Sequence, residues 1–115
     1  MTIRKARALV AYWQTVLGLT EWEIVEVRWC TPEEADEEDG HNNFYSEGPS
    51  SKIALRKDQD DYDMEVTIVH ELLHLMVDGH KDIEKLVGRH YDRMHERALN
   101  RLAKILISLD RLGKG

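Results

Sequence analysis

The stretch "VTIVHELLHLMVDGH", from Val66 to His80, decides how the rest of the chain is read. Val66, Ile68, Val69, Leu72, Leu73, Leu75, Met76 and Val77 crowd it on every side. A helix that is apolar nearly all round is a buried helix. Within it His70, Glu71 and His74 fall at the spacing H-E-x-x-H, for which the chain's own composition predicts only about 0.03 chance matches. Two imidazoles and a carboxylate in a buried helix are costly unless they are paired or bound to a metal. Residues four apart share one helix face, about 5–6 Å from each other. His70 and His74 can therefore direct ring nitrogens at one ion. Glu71 is turned about 100° from His70, where it can reach a water on that ion without being a ligand. Zinc favours imidazole, keeps an open position in catalytic sites and brings the pKa of its water to about 7. A neighbouring carboxylate can then act as general base.

Such a site needs a third protein ligand, and the stretch itself offers Asp78 and His80. Asp78 lies eight residues beyond His70, about 12 Å along the axis, too far for one ion with bonds near 2 Å. His80 occupies the third-histidine position of H-E-x-x-H-x-x-G-x-x-H, but Val77 stands where that motif needs glycine. A β-branched residue takes positive φ badly, and Gly79 comes two residues late. The remaining candidates are His90, His95 and Glu96. A helix returning antiparallel to the motif helix must bring its ligand level with His70 and His74. Starting at Lys81 it would carry Glu96 over 20 Å along, too far; starting near Gly88 and Arg89, about 10 Å. Residues 80–88 are accordingly expected to form a connector. In the final helix Tyr91, Ala98, Leu102 and Leu109 define the apolar centre, with His95 projecting into it. Glu96 falls on the flank beside Leu99, Ala103 and Ile107. His95 is the main rival ligand, and His90 could be a ligand, a substrate-binding group or a surface residue.

Upstream, Ile3 to Leu17 reads as an amphipathic helix with Gly18 as its stop. "TEWEIVEVRWC" alternates as a strand does, with an irregularity at Ile24-Val25. "TPEEADEEDG" is an acidic exposed loop that lacks the spacing of a calcium loop. "HNNFYSEG" and "SKIALRK" are two further short strands joined at Gly48-Pro49. The carboxylates of "DQDDYD" suit the positive end of the motif helix as caps. The order α-β-β-β-α-α predicts one α+β domain over 1–115: an N-terminal helix, a three-stranded, mainly antiparallel sheet, the motif helix and a C-terminal ligand helix.

The chain has 115 residues and an apolar fraction of 42%, enough for one core but not two. No segment reaches the ~18–20 uninterrupted apolar residues of a membrane span. The start, "MTIRKARALVAYWQ", reads as a folded helix and not a signal peptide. The single cysteine, Cys30, excludes an intrachain disulfide and fits a reducing cytoplasm. Net charge of −6 disfavours nucleic acid as a partner. The basic residues of the final helix, Arg89, Arg93, Arg97, Arg101 and Lys104, look like a solvated face.

The segments "VTIVHELLHLMVD" and "HERALNRLAKIL" resemble zincin metallopeptidases of the gluzincin type, particularly the small minigluzincins and short phage-type metallopeptidases. The likeness covers about a quarter of the chain. It implies a zincin-like domain with one catalytic zinc ion, His70, His74 and Glu96 as ligands and Glu71 as general base. In that family an aspartate four residues after the glutamate supports a zinc histidine; here the position is Asn100, an amide without the charge that raises ligand basicity. The resemblance further implies hydrolysis of peptide or unfolded-protein substrates, with an extended substrate pairing against an edge strand, here "SKIAL". It also calls for a Tyr or His at the oxyanion, with His90, Tyr91 and Tyr45 as candidates. The competing expectation is a zinc-holding module of the same fold that binds or regulates and cleaves little.

Overall fold

The computed structural model describes residues 1–31, 40–44, 50–78 and 81–114, with side chains described for 1–31, 50–76 and 96–113. The elements run α1 (Ile3–Val16), β1 (Glu23–Cys30), β2 (Gly40–Phe44), β3 (Ser50–Arg56), α2 (Asp61–Asp78) and α3 (Lys81–Lys114). The class is α+β, as the sequence implies.

Local chemistry sets the ends of the helices. Thr2 caps α1, its side chain accepting from the Lys5 amide at 3.1 Å. At the other end Gly18 takes φ +70°, a conformation that penalises any Cβ. Its N–H reaches the Thr15 carbonyl at 3.2 Å, and that of Leu19 reaches the Gln14 carbonyl at 2.8 Å, the paired bonds of a Schellman stop. Asp60 caps α2, accepting from the Asp63 amide at 2.7 Å, with Asp61 and Asp63 in the first turn. The carboxylates of "DQDDYD" thus serve the helix start as expected. Gln59 ties β3 to α2, accepting from the Thr67 hydroxyl at 2.6 Å and donating to the Arg56 carbonyl at 2.8 Å.

The sheet departs from expectation. Its order is β1-β3-β2. β2 is antiparallel to β3, but β1 and β3, which form the longer ladder, are parallel. The sheet is therefore mixed and not mainly antiparallel. A hairpin of β2 and β3 can dock on β1 through either strand, and alternation within a strand does not say which. What decides is burial: Ser51, Ile53, Ala54 and Leu55 are all buried, and a strand with little polar face belongs in the centre. "SKIAL" is thus the central strand, paired on both sides, and offers no free edge to a substrate. The irregularity expected at Ile24-Val25 is a register shift between Ile24 and Glu26; Val25 is 52% exposed. The joint at Gly48-Pro49 and the acidic loop from Pro32 lie outside the described residues.

One core joins the elements. Ala6, Val10 and Trp13 of α1, Val27, Ile53 and Leu55 of the sheet, and Met64, Ile68, Leu72 and Leu75 of α2 pack with Leu99, Ala103 and Ile107 of α3. Two expectations for the last helix are overturned. It starts at Lys81, so residues 81–88 are helix and not a connector. Its buried face is the Leu99, Ala103 and Ile107 face, expected to be the flank. Of the expected apolar centre, Ala98 is exposed and Leu102 and Leu109 are 40% and 59% exposed. The side chain of Tyr91 lies outside the described residues. The apolar arc of α3 is wider than one packing face, and periodicity alone picks the wrong half.

Candidate metal centre

α2 carries His70, Glu71 and His74 in the turn where the helix crosses the core. Leu72, Leu73 and Leu75 around them are at most 2% exposed, which fixes the helix and leaves the imidazoles little freedom. The side chains of His70 and His74 are 13% and 17% exposed, so the site opens narrowly to water. Their Nε2 atoms stand 3.1 Å apart. Glu71 is buried, at 5% exposure. Its carboxylate lies with the two ring nitrogens in a group spanning no more than 4.8 Å.

Glu96 closes the third side from α3. One carboxylate oxygen is 2.7 Å from His70 Nε2 and the other is 2.7 Å from His74 Nε2. This contact forms although α3 starts at Lys81, where a count of helix rise ruled it out. That count took both helices as straight and level at their ends, and the contact of Glu96 with both imidazoles shows that this assumption fails. The face inversion agrees with this contact: Glu96 is in register with Leu99, Ala103 and Ile107, so packing that buries these residues also delivers the carboxylate.

Electrostatics favour the ionised ligand. Burial alone pushes the Glu96 carboxyl up, but hydrogen bonds and positive charge from His70 and His74 outweigh it and hold the group well below the usual carboxylate range. The donor set suits zinc. Around a tetrahedral ion with bonds of about 2.0–2.1 Å, donor atoms stand roughly 3.3 Å apart. The two Nε2 atoms at 3.1 Å need about 0.2 Å of opening, and the two carboxylate oxygens, each 2.7 Å from a different imidazole, need about 0.6 Å. Two imidazole nitrogens, one carboxylate and an adjacent buried carboxylate that need not coordinate match a catalytic ligand set.

The other candidates fall elsewhere. Asn100 is exposed one turn beyond Glu96 and makes no hydrogen bond to either histidine among the described residues. His90, Tyr91 and His95 lie on α3, but their side chains are outside the described residues, as are Asp78's side chain and the whole of His80 and Tyr45. No helix among the described residues is long and apolar enough to cross a membrane. No family model, curated protein or solved structure matches this chain.

Proposed function

We propose that the chain is a zinc-dependent peptidase of the gluzincin type, cleaving peptide or unfolded-protein substrates, with His70, His74 and Glu96 holding the ion. The observation that carries this reading is the Glu96 carboxylate, bridging both Nε2 atoms at 2.7 Å beside the buried carboxylate of Glu71. Held at that place, zinc supplies Lewis acidity to a carbonyl and to an attacking water. The chain's own residues do the rest. Glu71 takes a proton from the water at its carboxylate oxygen and returns it to the departing amine nitrogen as the peptide bond breaks. The burial of Glu71, at 5% exposure, strengthens the electrostatic interactions of its carboxylate.

The test is cleavage of a disordered protein and of a mixed peptide library by the zinc-loaded chain. Activity should vanish with a chelator, return with zinc, and drop on the order of 100-fold or more in Glu71→Gln, with metal content unchanged. Undiminished cleavage by Glu71→Gln overturns the assignment of the base. The exposed Asn100, which lends no charge to a ligand histidine, favours a second reading: a zinc-holding module with little turnover. Stoichiometric zinc with no cleavage of either substrate, and partner binding undiminished in Glu71→Gln, would select it.

A further inference from the structure

The half of α3 that the core does not use is itself patterned. Ala98, Leu102, Ile105, Leu109 and Leu112 repeat at intervals of four, three, four and three. Ala98 is exposed, and the other four are 40%, 48%, 59% and 77% exposed. This is the a/d spacing of a helix that packs lengthwise on another helix. Over these 15 residues it makes a straight seam about 21 Å long. Single exposed leucines are ordinary, but a contiguous exposed apolar stripe of this length marks an interaction surface.

The flanks of the seam differ. On one side Leu99 is buried and Leu106 packs against the core, so the domain itself closes that side. On the other, each residue just before a seam residue is polar: Arg97, Arg101, Lys104, Ser108 and Arg111, of which Arg111 pairs with Glu65 at 3.3 Å. Arg97, Arg101 and Lys104 are exposed, and none has an ion-pair partner among the described residues. The open flank is a basic row beside an apolar seam.

We propose that this seam docks an amphipathic helix of a second protein that carries apolar residues at the matching three-four spacing and acidic side chains along one flank. Arg101 stands at the position next to the seam, with Arg97 and Lys104 one step further out, and complementary charge across an interface sets partner choice, so this basic side selects an acidic partner. A second copy of the chain fits badly, because its seam brings the same basic side and no acidic one to complement it. A bilayer fits less well than a helix, because an interface needs only apolar breadth and not a strict repeat.

The experiment titrates the full chain against two fluorescein-labelled synthetic helical peptides of four heptads. Both have leucine at a and d; one has glutamate at e and g, the other lysine. The glutamate peptide should bind at least tenfold tighter. Leu109→Glu or Ile105→Glu should weaken it tenfold or more, with circular dichroism unchanged because both sites are exposed. Arg101→Glu with Lys104→Glu should reverse the preference between peptides. Equal affinity for both peptides, or binding indifferent to Leu109→Glu, overturns the proposal. So does sedimentation of the chain alone as a dimer that Ile105→Glu dissociates, or binding to phosphatidylserine vesicles that the same substitution abolishes while neither peptide binds.

Discussion

Glu96 is where a single side chain decides most. Its side chain is half exposed, yet both oxygens are committed to imidazole nitrogens on another helix. Glu96→Ala leaves two histidines on one helix, and a two-ligand site holds zinc poorly. Zinc measured by elemental analysis after gel filtration should be near one equivalent in the wild type and His95→Ala. It should be largely lost in His74→Ala and Glu96→Ala. Zinc retained by Glu96→Ala but lost by His95→Ala reverses the ligand assignment. The charge on Glu96 gives a second expectation, for the metal-free protein. The folded state holds this carboxyl below its unfolded value. Its contribution to stability is therefore present above the usual carboxylate range and is lost as pH falls through the folded value. Urea midpoints followed from pH 6 downwards should lose a component that Glu96→Gln lacks; parallel curves for the two proteins would exclude it. His70, Glu71 and His74 were legible in the sequence because helix geometry alone fixes their neighbourhood. From the residues alone Glu96 was legible only as one of three candidates, since its level against α2 depends on where two helices start; the resemblance singled it out.

The elements were legible in kind and order, less so in their relations. The stop at Gly18 and the carboxylate cap at Asp60 act within a few residues, so the local sequence reports them; the Thr2 cap acts as locally but was not read. The pairing partner of β1 is a tertiary choice: β3 takes the centre because its burial is nearly continuous, a feature visible in "KIAL" only as three apolar residues in a row. α3 shows the same limit more sharply. Its apolar arc holds two faces, and the core takes the one bearing Leu99, Ala103 and Ile107. The inversion can be weighed directly. Ile107 is 1% exposed and Leu109 is 59% exposed. Removing a buried isoleucine side chain costs about 2–5 kcal/mol, transfer and cavity together, whereas surface changes stay within about 0.5 kcal/mol. Denaturant unfolding should therefore place Ile107→Ala several kcal/mol below the wild type and leave Leu109→Ala beside it. The opposite ranking would return the core to the Leu102 and Leu109 face. Gly18→Ala tests the α1 stop. No atom stands within 4 Å of the missing Cβ, so its expected loss of about 1 kcal/mol is backbone strain alone.

At the scale of the whole molecule, the centre is a clasp between two parts of the fold that are held elsewhere by packing and by polar ties near the far end of α3. α2 belongs to the sheet side of the core, through Met64, Ile68 and Leu72, and α3 closes over it. Polar ties between the outer helices lie towards the far end of α3. Trp13 donates to Glu65 at 2.9 Å, Arg111 donates to the same carboxylate at 3.3 Å, and Tyr12 donates to Asp110 at 2.6 Å. At the His70–His74 level, Glu96 alone among the described residues links α3 to the imidazoles through polar atoms. An ion bound there cross-links the helices in the native state and has no such site in the unfolded chain, so its binding free energy adds to folding. Free zinc at 100 times its dissociation constant contributes about 2.7 kcal/mol, which for a domain of this size raises Tm by roughly 10 °C. Metal ligands must be deprotonated to bind, so the ion competes with protons and the gain should shrink as pH falls. Scanning calorimetry with zinc or with chelator, on the wild type and on Glu96→Ala, separates a clasp from adventitious binding to α2. The wild type should shift upward at neutral pH and less at pH 5.5, and Glu96→Ala should shift by no more than a degree or two. Equal shifts in both proteins would mean that the ion rests on α2 alone and that the contact from α3 is only a hydrogen-bonded pair.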